Sequence, residues 1–580
     1  MKKFKVLGIV GLIAAMVAVP EGLTVADDDS EFVTTQPSML DLGSRGDVTI
    51  SPIITVGDTL EGGYRFEAVP DGIALDAKGN GNHVDVYVNH ETSTVPFPYN
   101  PQNPTAANGE NDFNNSEVSK LSLGFNGGVI SVEEAEIVIG TELGYQRFCS
   151  SYLATEKEGF NRPILFTNEE AVEWINTSGT PWPSAQGAAG ARQSGVVVAY
   201  DVKTGKQTPI WGMGRHNHEN NLAIPGYEQV VMLSGDDTFL SNPAQSQLYS
   251  YIAKDANAVL KDRGTMWAFV SDTAGFDDYY DFVPGNASSI SGHFIEVPRD
   301  IATGKLNGTG RDLVAADKGY PAPTAAEFTA DAFGVPVDGP QWVLEKWGDA
   351  NGVFQFVRIE DMAYDKRPAM GNTVYLADSG RGSAGPSQAG RSTNGRIWKM
   401  VLDPSDPTKV TSLSIFVEGD DNRVKTLGEI HQPDNLETTD KSLLVTEDPG
   451  SGQQFPAGST DPAATTGRLW RVPIGNVAGA EVVAKVNQSA DGGATDVDGR
   501  PAGNWGSWES SGIVDASAVF GPGAFLVDVQ AHTLWVEKAP GADNFGPSAT
   551  LPNTTGPDGN PDFTYKREGG QLLLIRIPGA

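Results

Sequence analysis

Short apolar runs that stop on an acidic or amide residue recur through this chain, and they constrain its fold more than any other feature. They close on Tyr87-Val88-Asn89-His90-Glu91, Ser234-Gly235-Asp236-Asp237, Tyr375-Leu376-Ala377-Asp378, Leu444-Val445-Thr446-Glu447-Asp448 and Leu526-Val527-Asp528. The most specific string, Gly214-Arg215-His216-Asn217-His218-Glu219, stands just ahead of the second of these. A strand that ends on carboxylates delivers them to a sheet edge, where several edges can converge. Gathered carboxylates repel one another, so such a set needs cations or a very wet surface.

A second family of runs opens on glycine. Gly195-Val196-Val197-Val198-Ala199-Tyr200-Asp201, Gly395-Arg396-Ile397-Trp398-Lys399-Met400, Gly467-Arg468-Leu469-Trp470-Arg471-Val472 and the weaker Gly570-Gln571-Leu572-Leu573-Leu574-Ile575 each read as one half of a hairpin. Acid-ended strands precede two of them, Thr373 to Asp378 before Gly395 and Leu443 to Asp448 before Gly467. Short strands, many glycines and prolines, and spaced strand pairs predict an all-β protein. A β-propeller with long inserted loops is favoured over a sandwich, which stays open. Few helices are expected: Asn168 to Ile175, Pro243 to Val259, and one near Thr324 to Ala332. Loops are expected over Pro98 to Asn115, Ser379 to Thr393 and Gly450 to Thr466.

Lys2, Lys3 and Lys5, the apolar run Val6 to Val19 and a small-residue site after Ala26 read as a signal peptide over 1–26. With no linker to separate two domains, residues 27–580 are expected to form one secreted or periplasmic β-propeller domain. The apolar run is short of the roughly twenty residues a membrane span needs, so no stable membrane insertion is expected. The net charge of −33 repels nucleic acid and anionic lipid, which excludes a polyanion-binding role. Cys149 is the sole cysteine, so no internal disulfide forms, and the thiol is either inert core or a ligand.

On an extended strand His216 and His218 share a face and Glu219 opposes them. Glu219 beside Arg215 and two histidines suits a hard or borderline metal, or a hydrogen-bonded polar strand end. Asp236-Asp237 alone also fits an ordinary turn. Arg358 and Glu360 share a face; the pair is a salt bridge, unless metal occupies the carboxylate and frees the guanidinium for phosphate. Pro433-Asp434-Asn435 and Glu447-Asp448 supply hard oxygen donors that suit calcium.

The order of Asn89-His90-Glu91, Gly214-Arg215 with His218-Glu219, Gly235-Asp236-Asp237, Arg358 with Glu360, and Pro433-Asp434-Asn435 resembles the PhoX-type secreted alkaline phosphatases, over about Gly62 to Val529. The resemblance implies a six-bladed propeller whose axial site holds iron and calcium ions around a bridging oxo group. It implies iron on Cys149, Glu170, Glu219 and Glu360, and calcium on Glu91, Asp434 and neighbouring acids such as Asp237. Arg358 is implied as the catalytic arginine that grips phosphate, with Arg215 as a second substrate-binding arginine. The chain departs from the family at Arg147-Phe148-Cys149-Ser150-Ser151, where Asn-Asn-Cys-Ala is typical. Glu169 competes with Glu170, and the leader lacks the paired arginines of many relatives.

The expected chemistry is metal-dependent hydrolysis of phosphate monoesters, extending to diesters, by a monomer acting on small phosphorylated substrates. No Ser-His-Asp arrangement is evident. Two alternatives share the scaffold: a calcium-dependent propeller lactonase, which needs no cysteine, and a non-catalytic calcium-stabilised binding protein.

Overall fold

The computed structural model describes residues 31–580 apart from 68, 78–82, 92–114, 127, 177–189, 239–242, 284, 286–287, 325–326, 328–336, 381–393, 420–425, 449–461, 463, 489–507 and 538–562. The expected signal peptide over 1–26 lies outside the described residues, as do most of the three expected loops.

The described chain is mostly antiparallel β-sheet, in three four-stranded sheets, one of five strands, one of nine and one of two, and within the five larger sheets six successive units each start on an inner strand. Their first, or inner, strands are Pro70–Asp76, Phe148–Ala154, His218–Ile224, Ile359–Tyr364, Pro433–Thr438 and Glu509–Asp515. The second strands are His83–His90, Ile164–Glu169, Val230–Asp236, Thr373–Asp378, Ser442–Glu447 and Ala524–Glu537. Each inner strand touches the next, and the sixth touches the first, so the inner strands form a closed ring. The outer strand of the sixth unit comes from the other end of the chain: Thr49–Thr55 pairs with Phe563–Arg576. An extra strand, Ser289–Glu296, pairs with Asp406–Glu418 and joins the third and fourth units into one nine-stranded sheet.

Six apolar clusters fill the spaces between successive units. Leu233, Leu376 and Trp398 lie between the third and fourth, and Phe166, Val197 and Met232 between the second and third. Because both faces of each unit are covered, strands such as Val230–Asp236 are buried along their whole length and lack the in–out alternation of a half-exposed sheet.

That burial explains two corrections to the expected helices. Residues 168–175 end one strand, Ile164–Glu169, and begin another, Trp174–Asn176. Residues 243–259 are led by the strand Leu248–Ala253, with only Ala256–Leu260 helical. A continuous apolar run reads equally as buried helix or buried strand. The expected helix at 324–332 falls largely outside the described residues. The longest helix was not anticipated: Pro340–Asn351 starts on proline and stops at Gly352, in the left-handed region at φ 68°. No helix among the described residues is long and apolar enough to cross a membrane.

Candidate metal centre

All six inner strands carry a β-bulge at the same place. Register slips between Pro70 and Ile73, Phe148 and Ser151, His218 and Asn221, Ile359 and Met362, Pro433 and Leu436, and Ser510 and Ile513. The first bulged residues are Asp71, Cys149, Glu219, Glu360, Asp434 and Ser511. A bulge inserts one unpaired residue and re-aims its side chain. Six equivalent bulges in a ring therefore send six side chains toward one centre. The second bulged residue must let neighbouring strands close in. A Cβ on Gly72 would stand 2.3 Å from the Ser151 nitrogen, so only glycine fits there.

The second strands supply the next set. Their last residues pair with the inner strand, and the following residue turns the other way. Glu169 is gripped by Arg192 at 2.8 and 2.9 Å and takes the Gln146 and Val196 amides. Glu447 is held likewise by Arg468 and by Trp470 Nε1. These acids are structural. Their successors, Glu170 and Asp448, face the ring, as do Glu91 and Asp237. The alternation decides between Glu169 and Glu170: only Glu170 stands with Cys149.

Three overlapping donor groups result: Asp71, Glu91 and Cys149; Cys149, Glu170 and Glu219; and Glu219, Asp237 and Glu360. Each brings one donor atom per residue within 4.8 Å of the others. Cys149 and Glu219 are shared, so the groups form a chain across the ring. Asp434 adjoins it, since the charges of Glu360, Glu509 and Asp448 act on it once burial has raised its pKa. Hydrogen bonds aim the donors: Ser150 Oγ donates to Glu219 Oε1 at 2.7 Å, Asn435 Nδ2 to Ser150 Oγ at 2.7 Å, and Ser379 Oγ to Glu360. Cys149 Sγ lies 2.7 Å from Asp71 Oδ2.

Burial first, and mutual repulsion second, push Glu219, Glu360, Glu170, Asp434 and the Cys149 thiol well above their ordinary pKa ranges. Asp71 and Glu509 move the same way. Two guanidiniums reach into this set. Arg358 is bidentate to Asp237 (2.7 and 2.6 Å) and lies 3.1 Å from Glu360. Arg147 stands 3.6 Å from Glu173 and 4.0 Å from Glu91. A thiol gathered with carboxylates offers soft and hard donors together, so the donor set fits bound cations.

A sequence model of the family described as alkaline phosphatase PhoX matches residues 185–490, more than half of the chain. The chain belongs to the PhoX alkaline phosphatase family. Membership makes it a phosphoric ester hydrolase. No curated protein matches the chain.

Set against the PhoX expectation, the ring gathers Cys149, Glu170, Glu219, Glu360, Glu91, Asp237 and Asp434, with Arg358 among them. Arg215 is not brought in. It is fully buried between the Gln193 carbonyl, Asp312 and the Trp211 ring, because its position lies three residues ahead of the inner strand His218–Ile224. His216 and His218 do share a face, with ring centroids 3.6 Å apart, but both bond Ser234, and burial lowers the pKa of each. Asp71 and Glu509 were missed. The doublets Asp71-Gly72 and Ser511-Gly512 were the available signal, since an acidic or hydroxyl residue followed by glycine or asparagine stands at four of the six bulges.

Proposed function

We propose that this protein is a secreted, metal-dependent phosphatase acting on phosphate monoesters, with diesters as poorer substrates. Residues 27–580 form one domain, a six-bladed propeller whose blades are the six units. The observation that carries the reading is the convergence of Cys149, Glu170, Glu219 and Glu360 on the inner ring, next to Arg358. In this reading iron is held by those four donors. Calcium is held by Glu91, Asp434 and Asp237, joined by Asp71, Asp448 and Glu509.

A phosphomonoester carries nearly two negative charges, and the bare carboxylate ring would repel it. Bound cations invert that field, polarise the phosphoryl oxygens and lower the pKa of bound water. The chain's own residues do the rest. Arg358 offers paired N–H donors to the phosphoryl oxygens, and Asp237 holds its guanidinium in a fixed plane. As charge spreads over those oxygens in the transition state, a preoriented arginine stabilises it without reorganisation. Ser150, Ser379 and Asn435 keep the donor carboxylates in their rotamers.

The test is elemental analysis of secreted protein, with p-nitrophenyl phosphate hydrolysis assayed on the same sample. Iron and calcium with turnover are expected, with iron and turnover lost in Cys149→Ser and Glu219→Gln. Calcium alone, with no turnover, overturns the phosphatase reading.

A further inference from the structure

The register around the ring assigns one position more than the bulges use. Two residues before each first bulged residue, the chain places Val69, Arg147, Asn217, Arg358, Gln432 and Glu509. Arg147 and Arg358 are thus equivalent residues of the second and fourth units, with Asn217 of the third between them. Their surroundings correspond as well. Arg358 reaches back to Asp237, at the end of the preceding unit's second strand. Arg147 reaches back to Glu91, at the end of its own preceding unit's second strand.

The two differ in how tightly they are held. Arg358 is locked by two short bonds to Asp237. Among the described residues the Arg147 side chain makes one hydrogen bond, Nη1 to the Glu170 carbonyl at 2.8 Å, and its Nε and Nη2 lie 4.0 Å from Glu91 and 3.6 Å from Glu173. Its side chain is 21% exposed, against 9% for Arg358. Its backbone sits at φ 42°, one of five non-glycine residues in the left-handed region; Val69 and Gln432 of the same tier are two others. Strain of this kind persists where the surroundings over-determine a residue, and it gathers at functional sites.

We propose that Arg147 is a second substrate-binding arginine, gripping the phosphoryl group from a position two units round the ring from Arg358 and selecting dianionic monoesters over monoanionic diesters. The inference rests on the phosphatase reading. Nη1 anchors the guanidinium on the Glu170 carbonyl, and its Nε and Nη2, 4.0 Å from Glu91 and 3.6 Å from Glu173, are the donors it offers to the substrate. Two guanidiniums flanking Asn217 match an anion with three terminal oxygens; a diester presents two, and one charge fewer.

The experiment uses metal-loaded wild type, Arg147→Asn and Arg147→Lys. It measures inorganic phosphate binding by calorimetry, metal content, and kcat/KM for p-nitrophenyl phosphate and bis(p-nitrophenyl) phosphate. Losing a charge-assisted contact predicts phosphate affinity and monoester kcat/KM falling about 10- to 100-fold in Arg147→Asn, with diester kcat/KM changing less than about 3-fold. Arg147→Lys recovers part of the phosphate affinity. Unchanged phosphate affinity and an unchanged monoester-to-diester ratio in fully metallated Arg147→Asn would overturn the proposal. So would a loss of bound metal that accounts for the whole effect, which makes Arg147 only a counter-charge. Wild type that neither binds phosphate nor hydrolyses either ester overturns the phosphatase reading itself, a distinct result.

Discussion

Glu169 and Glu170 are adjacent and chemically identical, yet their substitution separates stability from metal binding. Glu169→Gln leaves the buried Arg192 guanidinium without its bidentate partner, which costs about 3–5 kcal/mol. Urea denaturation reads this loss, while metal content per folded molecule stays constant. Glu170→Gln does the reverse. It removes one of the repelling carboxylates, so metal-free stability holds or rises, and calorimetry finds metal affinity down by on the order of 100-fold. Cys149→Ser replaces the one soft donor by a hard one. Elemental analysis is expected to show iron lost and calcium retained, because Asp71, Glu91 and Asp434 remain. A period-2 pattern assigns the two faces of such an acid pair; it does not say which face has an arginine waiting on a neighbouring strand.

At the scale of elements, the Pro340–Asn351 helix carries a pH-sensitive contact of its own. Glu345 is buried against the third unit, bonded by Gln247 Nε2 at 2.6 Å on one oxygen and by nothing among the described residues on the other. Burial, with Asp349 nearby, raises its pKa to about 8. Its folded pKa lies above the unfolded value, so the native state holds a proton that the unfolded chain releases. The stabilisation is complete at acid pH, shrinks as pH rises toward 8, and is gone above it. Glu345→Gln removes that dependence and is expected to stabilise the protein at pH 9 by on the order of 3 kcal/mol. Denaturant titrations at pH 5 and pH 9 check the sign. The helix was missed although Pro340 and Gly352 mark its ends, and the strands Ile164–Glu169 and Leu248–Ala253 were missed because burial on both faces erases the alternation that marks a strand.

For the whole molecule, the ring couples metal to stability with a definite pH dependence. Glu219, Glu360, Glu170 and Asp434 all have folded pKa values raised above those of the open chain. Metal-free protein is therefore most stable in acid and loses stability as pH rises and these groups are forced to ionise together. Chelation is expected to lower the melting temperature more at pH 9 than at pH 5. Calcium restored at a hundredfold excess over its Kd should return about 3 kcal/mol, and calorimetric scans with and without chelator measure both. The sequence by itself determined the all-β class, the acid-ended strands, the excess negative charge and the family resemblance, because hydrophobic runs, turn residues and motif strings are local. It named seven of the ring's donors and Arg358. Only the tertiary structure decided that Arg215 lies outside, that Asp71 and Glu509 lie inside, and that Arg147 mirrors Arg358. Those facts depend on where six separate bulges meet, and convergence of strands hundreds of residues apart leaves no local trace.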